Sequence, residues 1–292
     1  MHFSDTLTGM RFSTALLPLG LLALVLPALA QLAAPNEAGV TMGHVHLYVR
    51  DVAAKQRFFT GMLGGVAVAN QKLDMVRFPG AYIILRQAEP IGMPQGSIVN
   101  HFGFVWKDLP TWLAKWRAAG LKIEQGENPN QGYVSLPGDP EGIRVEFFGD
   151  PALSVPVQMN HIHFWPREAE IPVIQAWYAK TFGGIAGKRQ RVSRPGLTDA
   201  VDLPGVNLSY SPLESYDAKD SKAPAQAPTA GRALEHIGFE VKDLPAFLKR
   251  IEAQGVKIIE PMRASQFSTK LRVAFITDPW GTKIELSEGL EP

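Results

Sequence analysis

The sequence predicts an α+β protein built as a tandem repeat, with histidines placed on the same strand in each half of each repeat. Three observations carry this reading. Residues 100–123, NHFGFVWKDLPTWLAKWRAAGLKI, return at 235–258 as EHIGFEVKDLPAFLKRIEAQGVKI, so the chain holds two copies of one unit. In each copy a short strand opening on His101 or His236 runs into an amphipathic helix. Of the seven histidines, all but His2 begin a strand or stand two residues further on: His44, His46, His101, His161, His163 and His236. Scattered core histidines would not fall this way.

The repeated helix is legible residue by residue. Leu109, Trp112, Leu113 and Trp116 recur at i, i+3, i+4 and i+7, as do Leu244, Phe247, Leu248 and Ile251 in the second copy, which marks one buried face. Asp108 and Asp243 serve as N-caps, Pro110 sits harmlessly in the first turn, and Gly120 and Gly255 supply the stops.

Length and charge narrow the function classes. A chain of 292 residues suits two domains. A net charge of +1 with no lysine or arginine cluster excludes nucleic acid as the main partner, because phosphate binding needs concentrated positive charge. With no cysteine, neither disulfides nor thiol chemistry enter. Arg11, an interrupted apolar run from Ala15 and the closing Ala28-Leu29-Ala30 form the pattern of a secretory signal peptide over residues 1–30. The run is short for a segment that must cross about 30 Å of hydrocarbon. The expected mature protein is exported, to a periplasm or medium, and has no membrane contact after cleavage.

The remaining elements follow in order. After a lead-in at 31–39, the first domain (40–149) opens with HVHLYV, which puts His44, His46 and Tyr48 on one strand face. Asp51 caps a helix that ends at Gly64-Gly65, and a hairpin turns at Pro79-Gly80. The repeated unit comes next, and the domain closes with the turn Asp139-Pro140-Glu141-Gly142 and the strand IRVEFF. A linker at 150–157 leads to the second domain (158–289). There HIHFW aligns His161, His163 and Trp165 on one face, and VDLPGVNLSY matches VRFPGAYIIL. A stretch at 212–232, rich in proline, alanine, serine and charge, reads as an exposed loop insertion. The turn Asp278-Pro279-Trp280-Gly281 precedes the last strand, TKIELS.

Two of these strands carry a carboxylate among apolar residues, Glu146 and Glu285. A buried carboxylate must be paired, protonated or bound to a metal. Two histidines and one carboxylate per repeat match the facial triad of non-haem Fe(II) sites, and the same donors accept Mn(II), Ni(II), Co(II) or Zn(II).

GHVHLYVRDV, NHFGFVWKDL with EHIGFEVKDL, and DPEGIRVEFF with DPWGTKIEL together resemble the vicinal oxygen chelate superfamily of glyoxalases, extradiol dioxygenases and bleomycin-resistance proteins. The resemblance spans residues 40–289. It implies two tandem domains, each a pair of βαβββ modules curved around a cavity. It also implies a divalent cofactor, Fe(II) or Mn(II) foremost, and a small oxygen-bearing substrate. The ligand sets it implies are His44, His101 and Glu146, then His161, His236 and Glu285. His46 and His163, two residues beyond a ligand, would do acid–base work or bind substrate. Tyr48 and Trp165 would line the cavities, and Arg144 and Lys283 would meet an anionic substrate. The chain departs from glyoxalase I in having no fourth Glu in AYIILRQ or VNLSY. It departs from the extradiol enzymes in showing Leu136 and Phe275, rather than Tyr, three residues before the Asp-Pro turns. The expected activity is therefore a metal-dependent enzyme, dioxygenase-like or glyoxalase/isomerase-like. The alternative is a metal-free small-molecule binding protein.

Overall fold

Alternating apolar residues draw the chain into strands, and glycine stops, with aspartate caps on three of the helices, divide it into four modules of one plan: strand, helix, then three more strands. The computed structural model describes residues 32–70, 72–190, 196–215, 226–267 and 270–290; the expected signal peptide at 1–30 lies outside the described residues. The first module holds β1 (Val40–Val49), α1 (Val52–Arg57), β2 (Val66–Asn70), β3 (Leu73–Phe78) and β4 (Ala81–Gln87). The second has β5 (Val99–Trp106), α2 (Leu109–Ala118), β6 (Lys122–Gln125), β7 (Gln131–Ser135) and β8 (Val145–Gly149). The third has β9 (Val157–Phe164), α3 (Ile171–Phe182), β10 (Ile185–Gln190), β11 (Leu197–Leu203) and β12 (Val206–Tyr210). The fourth has β13 (Leu234–Val241), α4 (Leu244–Ala253), β14 (Ile258–Ala264), β15 (Arg272–Thr277) and β16 (Lys283–Glu288). No helix among the described residues is long and apolar enough to cross a membrane.

The caps read from the sequence are in place. Asp51, Asp108 and Asp243 accept from the backbone amides of Ala54, Thr111 and Ala246. Gly120 and Gly255 hold φ of 70° and 85°, a left-handed conformation that costs other residues dearly. Leu109, Leu113 and Trp116 are buried on α2, with Trp112 packed at the edge of the core; all four apolar residues expected on α4 are buried.

Two eight-stranded sheets result, ordered β14-β15-β16-β13-β1-β4-β3-β2 and β10-β11-β12-β9-β5-β8-β7-β6. Each sheet therefore joins modules from different repeats: the first module pairs with the fourth through β1 and β13, the second with the third through β5 and β9. Helix and side-chain packing instead binds the two halves of one repeat. Phe78 meets Phe104 at 4.4 Å between ring centroids, and Phe182 meets Phe239 at 4.5 Å. Sequence repeat and hydrogen-bonded sheet are thus different units.

The strands that carry HVH and HIH begin four residues earlier than the motifs suggest, at Val40 and Val157, because pairing with β13 and β5 continues past a bulge in each. Of the 212–232 stretch, residues 216–225 lie outside the described set. Its described end is tied to the first repeat: Ala227 N donates to Gly96 O (3.2 Å), and Ile98 N to Ala227 O (3.1 Å).

Polar clamps lock each Asp-Pro turn onto the first helix of the same repeat. Lys55 of α1, only 3% exposed, pairs with Asp139 and, at 3.1 Å, with Glu141. In the second repeat Tyr178 of α3 donates to Asp278 at 2.8 Å. Replacing Lys55 with Met strands two buried carboxylates, and breaking a buried pair in this way costs about 3–5 kcal/mol. Urea unfolding of Lys55→Met should show a loss of that order. A loss below about 1 kcal/mol would mean that Arg50, 3.5 Å from Glu141, carries the turn without the lysine.

Candidate metal centres

The histidines reach one another because each leading strand carries a bulge at the residue before its first inward histidine. Gly43, Asn100, Asn160 and Glu235 are the extra residues, each skipped in the antiparallel register. A bulge re-aims a side chain that would otherwise alternate to the far face. Asn100 and Asn160 consequently lie beside their neighbours, each with Oδ1 accepting from a histidine Nδ1, His101 at 2.8 Å and His161 at 3.0 Å. Glu235 accepts from His236 Nδ1 in the same way. Fixing the proton on Nδ1 leaves Nε2 with a lone pair facing the cavity.

Glycines opposite the bulges make room for the rings. Gly103 pairs with His161 and Gly238 with His44. A Cβ on Gly103 would stand 2.3 Å from His161 Cε1, and one on Gly238 would stand 2.1 Å from His44 Cε1. The HxGF motif shared by both copies was the available signal for these positions, and the sequence reading passed over it.

Two donor clusters form, and they correct the expected ligand sets. The structure brings His44, His236 and Glu285 together, and separately His101, His161 and Glu146; neither set comes from a single repeat. In the first cluster His44 Nε2 lies 3.2 Å from His236 Nε2, and His236 Nε2 lies 3.0 Å from Glu285 Oε2. In the second, His101 Nε2 and His161 Nε2 lie 2.9 and 2.8 Å from Glu146 Oε2. The other carboxylate oxygen of Glu146 accepts from Gln131 Nε2 at 2.6 Å.

Burial sets the protonation states. It lowers His44 and His161, and it takes His101 down to about 4, against the raising effect of the glutamates. These rings are therefore neutral near pH 7, the form that ligates. Burial opposes the charge on Glu146 and Glu285, but the surrounding histidines outweigh it and hold both carboxyls well below their ordinary value. For His236 burial also works downwards, but Glu235 and Glu285 win and raise it.

The residues fit a divalent cation on chemical grounds. His161 Nε2 is buried close to a carboxylate oxygen without the alignment of a hydrogen bond, and His44 Nδ1 has no partner. Nitrogen lone pairs and a carboxylate converge on one point in each cluster, with atoms mutually within 4.8 Å. Two or three such donors plus open positions describe a site that could hold a metal and keep room for a substrate.

His46 and His163 sit in these clusters as the strand alternation predicts. His46 is 9% exposed, its ring centroid is 4.4 Å from that of His236, and neither of its nitrogens has a partner. The His163 centroid is 4.7 Å from that of His101, and its Nε2 is held by Ser211 Oγ at 2.8 Å. Burial first, then the neighbouring histidines, push both rings well below the usual imidazole range.

Of the remaining expected contacts, Tyr48 and Lys283 line a cavity of about 150 Å³ beside the first cluster. Trp165 stacks on His163, centroids 5.6 Å apart at 18°. Arg144 and Lys283 turn to the bulge residues, Arg144 to Asn100 at 3.2 Å and Lys283 to Glu235 at 3.0 Å. They also lie over Tyr133 and Phe275, 4.2 and 4.6 Å from the ring centroids.

Register corrects one further expectation. Phe275 pairs with Glu285, and the residue paired with Glu146 is Tyr133, not Leu136. Tyr133 meets His101 edge-on at 5.1 Å. A tyrosine thus stands beside one centre, displaced in the count by the longer turn that follows it.

The model of the glyoxalase/bleomycin resistance protein/dioxygenase superfamily matches residues 41–147 and 171–286. Two glyoxalase I mutant structures from Zea mays share the fold at a TM-score of 0.63, with 14% and 15% identity. They cover 86% of this chain and 94% and 92% of theirs. A Bacillus subtilis protein assigned as a dioxygenase matches at 0.56 with 14% identity, over 85% of this chain and 86% of that one. No curated protein matches the sequence. With four βαβββ modules, two paired sheets and a family match over most of its length, the chain belongs to the glyoxalase/bleomycin resistance protein/dioxygenase superfamily.

Proposed function

We propose that the protein is a divalent-metal-dependent enzyme acting on a small molecule with adjacent oxygens, with a metal at each of the two donor clusters. The observation that carries this reading is the convergence of buried histidine Nε2 atoms on a carboxylate in both places, at 2.8 to 3.0 Å for three of the four nitrogens. His44, His236 and Glu285 would hold one metal; His101, His161 and Glu146 would hold the other. Fe(II) or Mn(II) suits the donor set foremost, with Ni(II), Co(II) and Zn(II) also accepted. Such a cation supplies Lewis-acid polarisation of substrate oxygens.

The chain's own groups supply the proton chemistry. His46 and His163 are neutral imidazoles beside the donors, able to take a proton from a carbon whose acidity the polarisation raises. Ser211 orients His163 through Nε2 and leaves its Nδ1 without a protein partner. This favours glyoxalase- or isomerase-type proton transfer. Tyr133 beside Glu146 favours a second reading at that centre, dioxygenase-type chemistry with the phenol as proton donor. A metal-free binding protein would need neither donor set. The leader at 1–30 supports export of the mature enzyme to a periplasm or the medium.

Metal analysis of chelator-free protein should find two metals per chain, and one in Glu146→Ala. Adding His161→Ala to Glu146→Ala should remove no more, whereas adding Glu285→Ala should remove the second. Gly103→Ala, which pushes the His161 ring aside, should behave like Glu146→Ala. Wild-type protein that binds no metal at neutral pH would leave the binding-protein reading standing.

Proton transfer can be read from hydrogen–deuterium exchange of hydroxyacetone in D₂O by NMR. His46→Gln and His163→Gln should together slow exchange by about 10²-fold or more. Catechol-dependent oxygen uptake by the Fe(II)-loaded chain, lost in Tyr133→Phe, would instead establish the dioxygenase-type reading.

Mass spectrometry of the protein from its host should give a mature chain beginning at Gln31. A mature species retaining Leu19 to Ala30 would refute export with cleavage.

A further inference from the structure

The two centres share a framework and differ in their walls. Five pairs of residues hold equivalent register positions around them. Tyr82 pairs with His44 where Asn207 pairs with His161, and Ile84 pairs with His46 where Ser209 pairs with His163. Met75 lies across from Ile84 where Ala200 lies across from Ser209. On the other side Phe275 and Val273 of β15 correspond to Tyr133 and Gln131 of β7.

At the His44 centre these residues are apolar in body and pack as a separate cluster. Met75, Tyr82, Ile84, Leu271, Val273, Phe275 and Leu290 are all 7% exposed or less. Ile84, Leu271, Val273 and Phe275 of this cup line the cavity of about 150 Å³ that reaches His236 and Glu285, which Arg86, Glu260, Arg263 and Lys283 also line. At the His101 centre three of the same positions, Asn207, Ser209 and Gln131, are engaged in polar contacts, and Ser211 adds another. Gln131 donates to Glu146, Ser209 donates to Asn207 Oδ1 at 2.7 Å, and Ser211 holds His163. Burying an apolar body against the first wall gains about 25 cal/mol per Å². Against the second, an apolar body would leave Gln131 Oε1, a buried acceptor without a partner, unsatisfied, whereas a polar ligand can donate to it.

We propose that the two centres take different chemical classes. The His44 centre accepts a chelating molecule whose two oxygens are carried on an apolar body, an aryl or alkyl group. The His101 centre accepts a hydrophilic one. This rests on the reading that both centres hold a metal, and it adds that they are not redundant copies.

Two oxygen-chelating probes of equal reactive group test it: benzohydroxamate, with an apolar body, and acetohydroxamate, without one. Zn(II)-loaded Glu146→Ala should retain the His44 centre, and Glu285→Ala the His101 centre, each first verified by metal content. By calorimetry the first variant should bind benzohydroxamate at least about tenfold more tightly than acetohydroxamate, and the second should prefer it by less than about threefold. Comparing the ratio between centres cancels the probes' own difference in chelating strength. Adding Ile84→Ser to Glu146→Ala should lower benzohydroxamate affinity more than that of acetohydroxamate.

Should a glutamate variant fail to fold, wild-type protein offers the same test. Its benzohydroxamate isotherm should show two phases, with Ile84→Ser weakening the tighter one. One metal per variant with equal probe preference, or a wild-type isotherm in which both centres respond alike, overturns the proposal and leaves the metal reading intact. Absence of metal from every variant and from wild type overturns both.

Discussion

A carboxylate in the middle of a buried strand must be matched by donors or cations, and here the match is supplied across the β1–β13 and β5–β9 junctions. Glu146 and Glu285 sit on strands parallel to β5 and β13, one step from the junction. Each meets one histidine from its own module and one from the module across it. The antiparallel pairing, the bulges and the small glycines all follow from this requirement. Pairing alone would point successive residues to opposite faces, so each bulge restores a histidine to the cavity side. The glycines then vacate the space that the opposing ring occupies.

This arrangement divides labour between two kinds of force. Backbone hydrogen bonds join modules from different repeats, while aromatic packing and the Asp-Pro clamps join modules of the same repeat. Neither set alone holds four modules together. Because the histidines lie on the hydrogen-bonded junctions, their geometry is fixed by the least deformable part of the fold. The wall residues lie one or two strands further out, where side chains can differ without disturbing the histidines.

Much of this was legible in the sequence, for a definite reason. Helix caps, the faces of α2 and α4 and the inward side of HVH and HIH depend on local period, which the residues state directly. The donor types were legible because histidine and glutamate are conspicuous in apolar strands. Partnership was not legible. All four leading strands turn a histidine inward, so His44 could have met His101 or His236 without violating alternation. Backbone pairing carries no side-chain label that would decide between them. Tyr133 was missed for a related cause: counting back from Asp139 assumes turns of equal length, and the turn after β7 is longer than the one after β15. The bulge residues Asn100, Asn160 and Glu235 escaped because strict alternation assigns them to the opposite face.

The crossed pairing also imposes an order of assembly. The donors are nested along the chain: His101, Glu146 and His161 all lie between His44 and His236, which are 192 residues apart. During synthesis the inner sheet can close once β9 to β12 have emerged, its loop closures being comparatively short. Until β13 arrives, β1 has no antiparallel partner, and the outer sheet ends at an open edge bearing His44 and His46. Long-range pairing of this kind is slow to form. An exposed strand edge is also where chains pair wrongly with one another. The nascent protein therefore carries a finished inner half and an unsealed outer one until its last module is made. Completion of the His44 centre and burial of that edge are then one event.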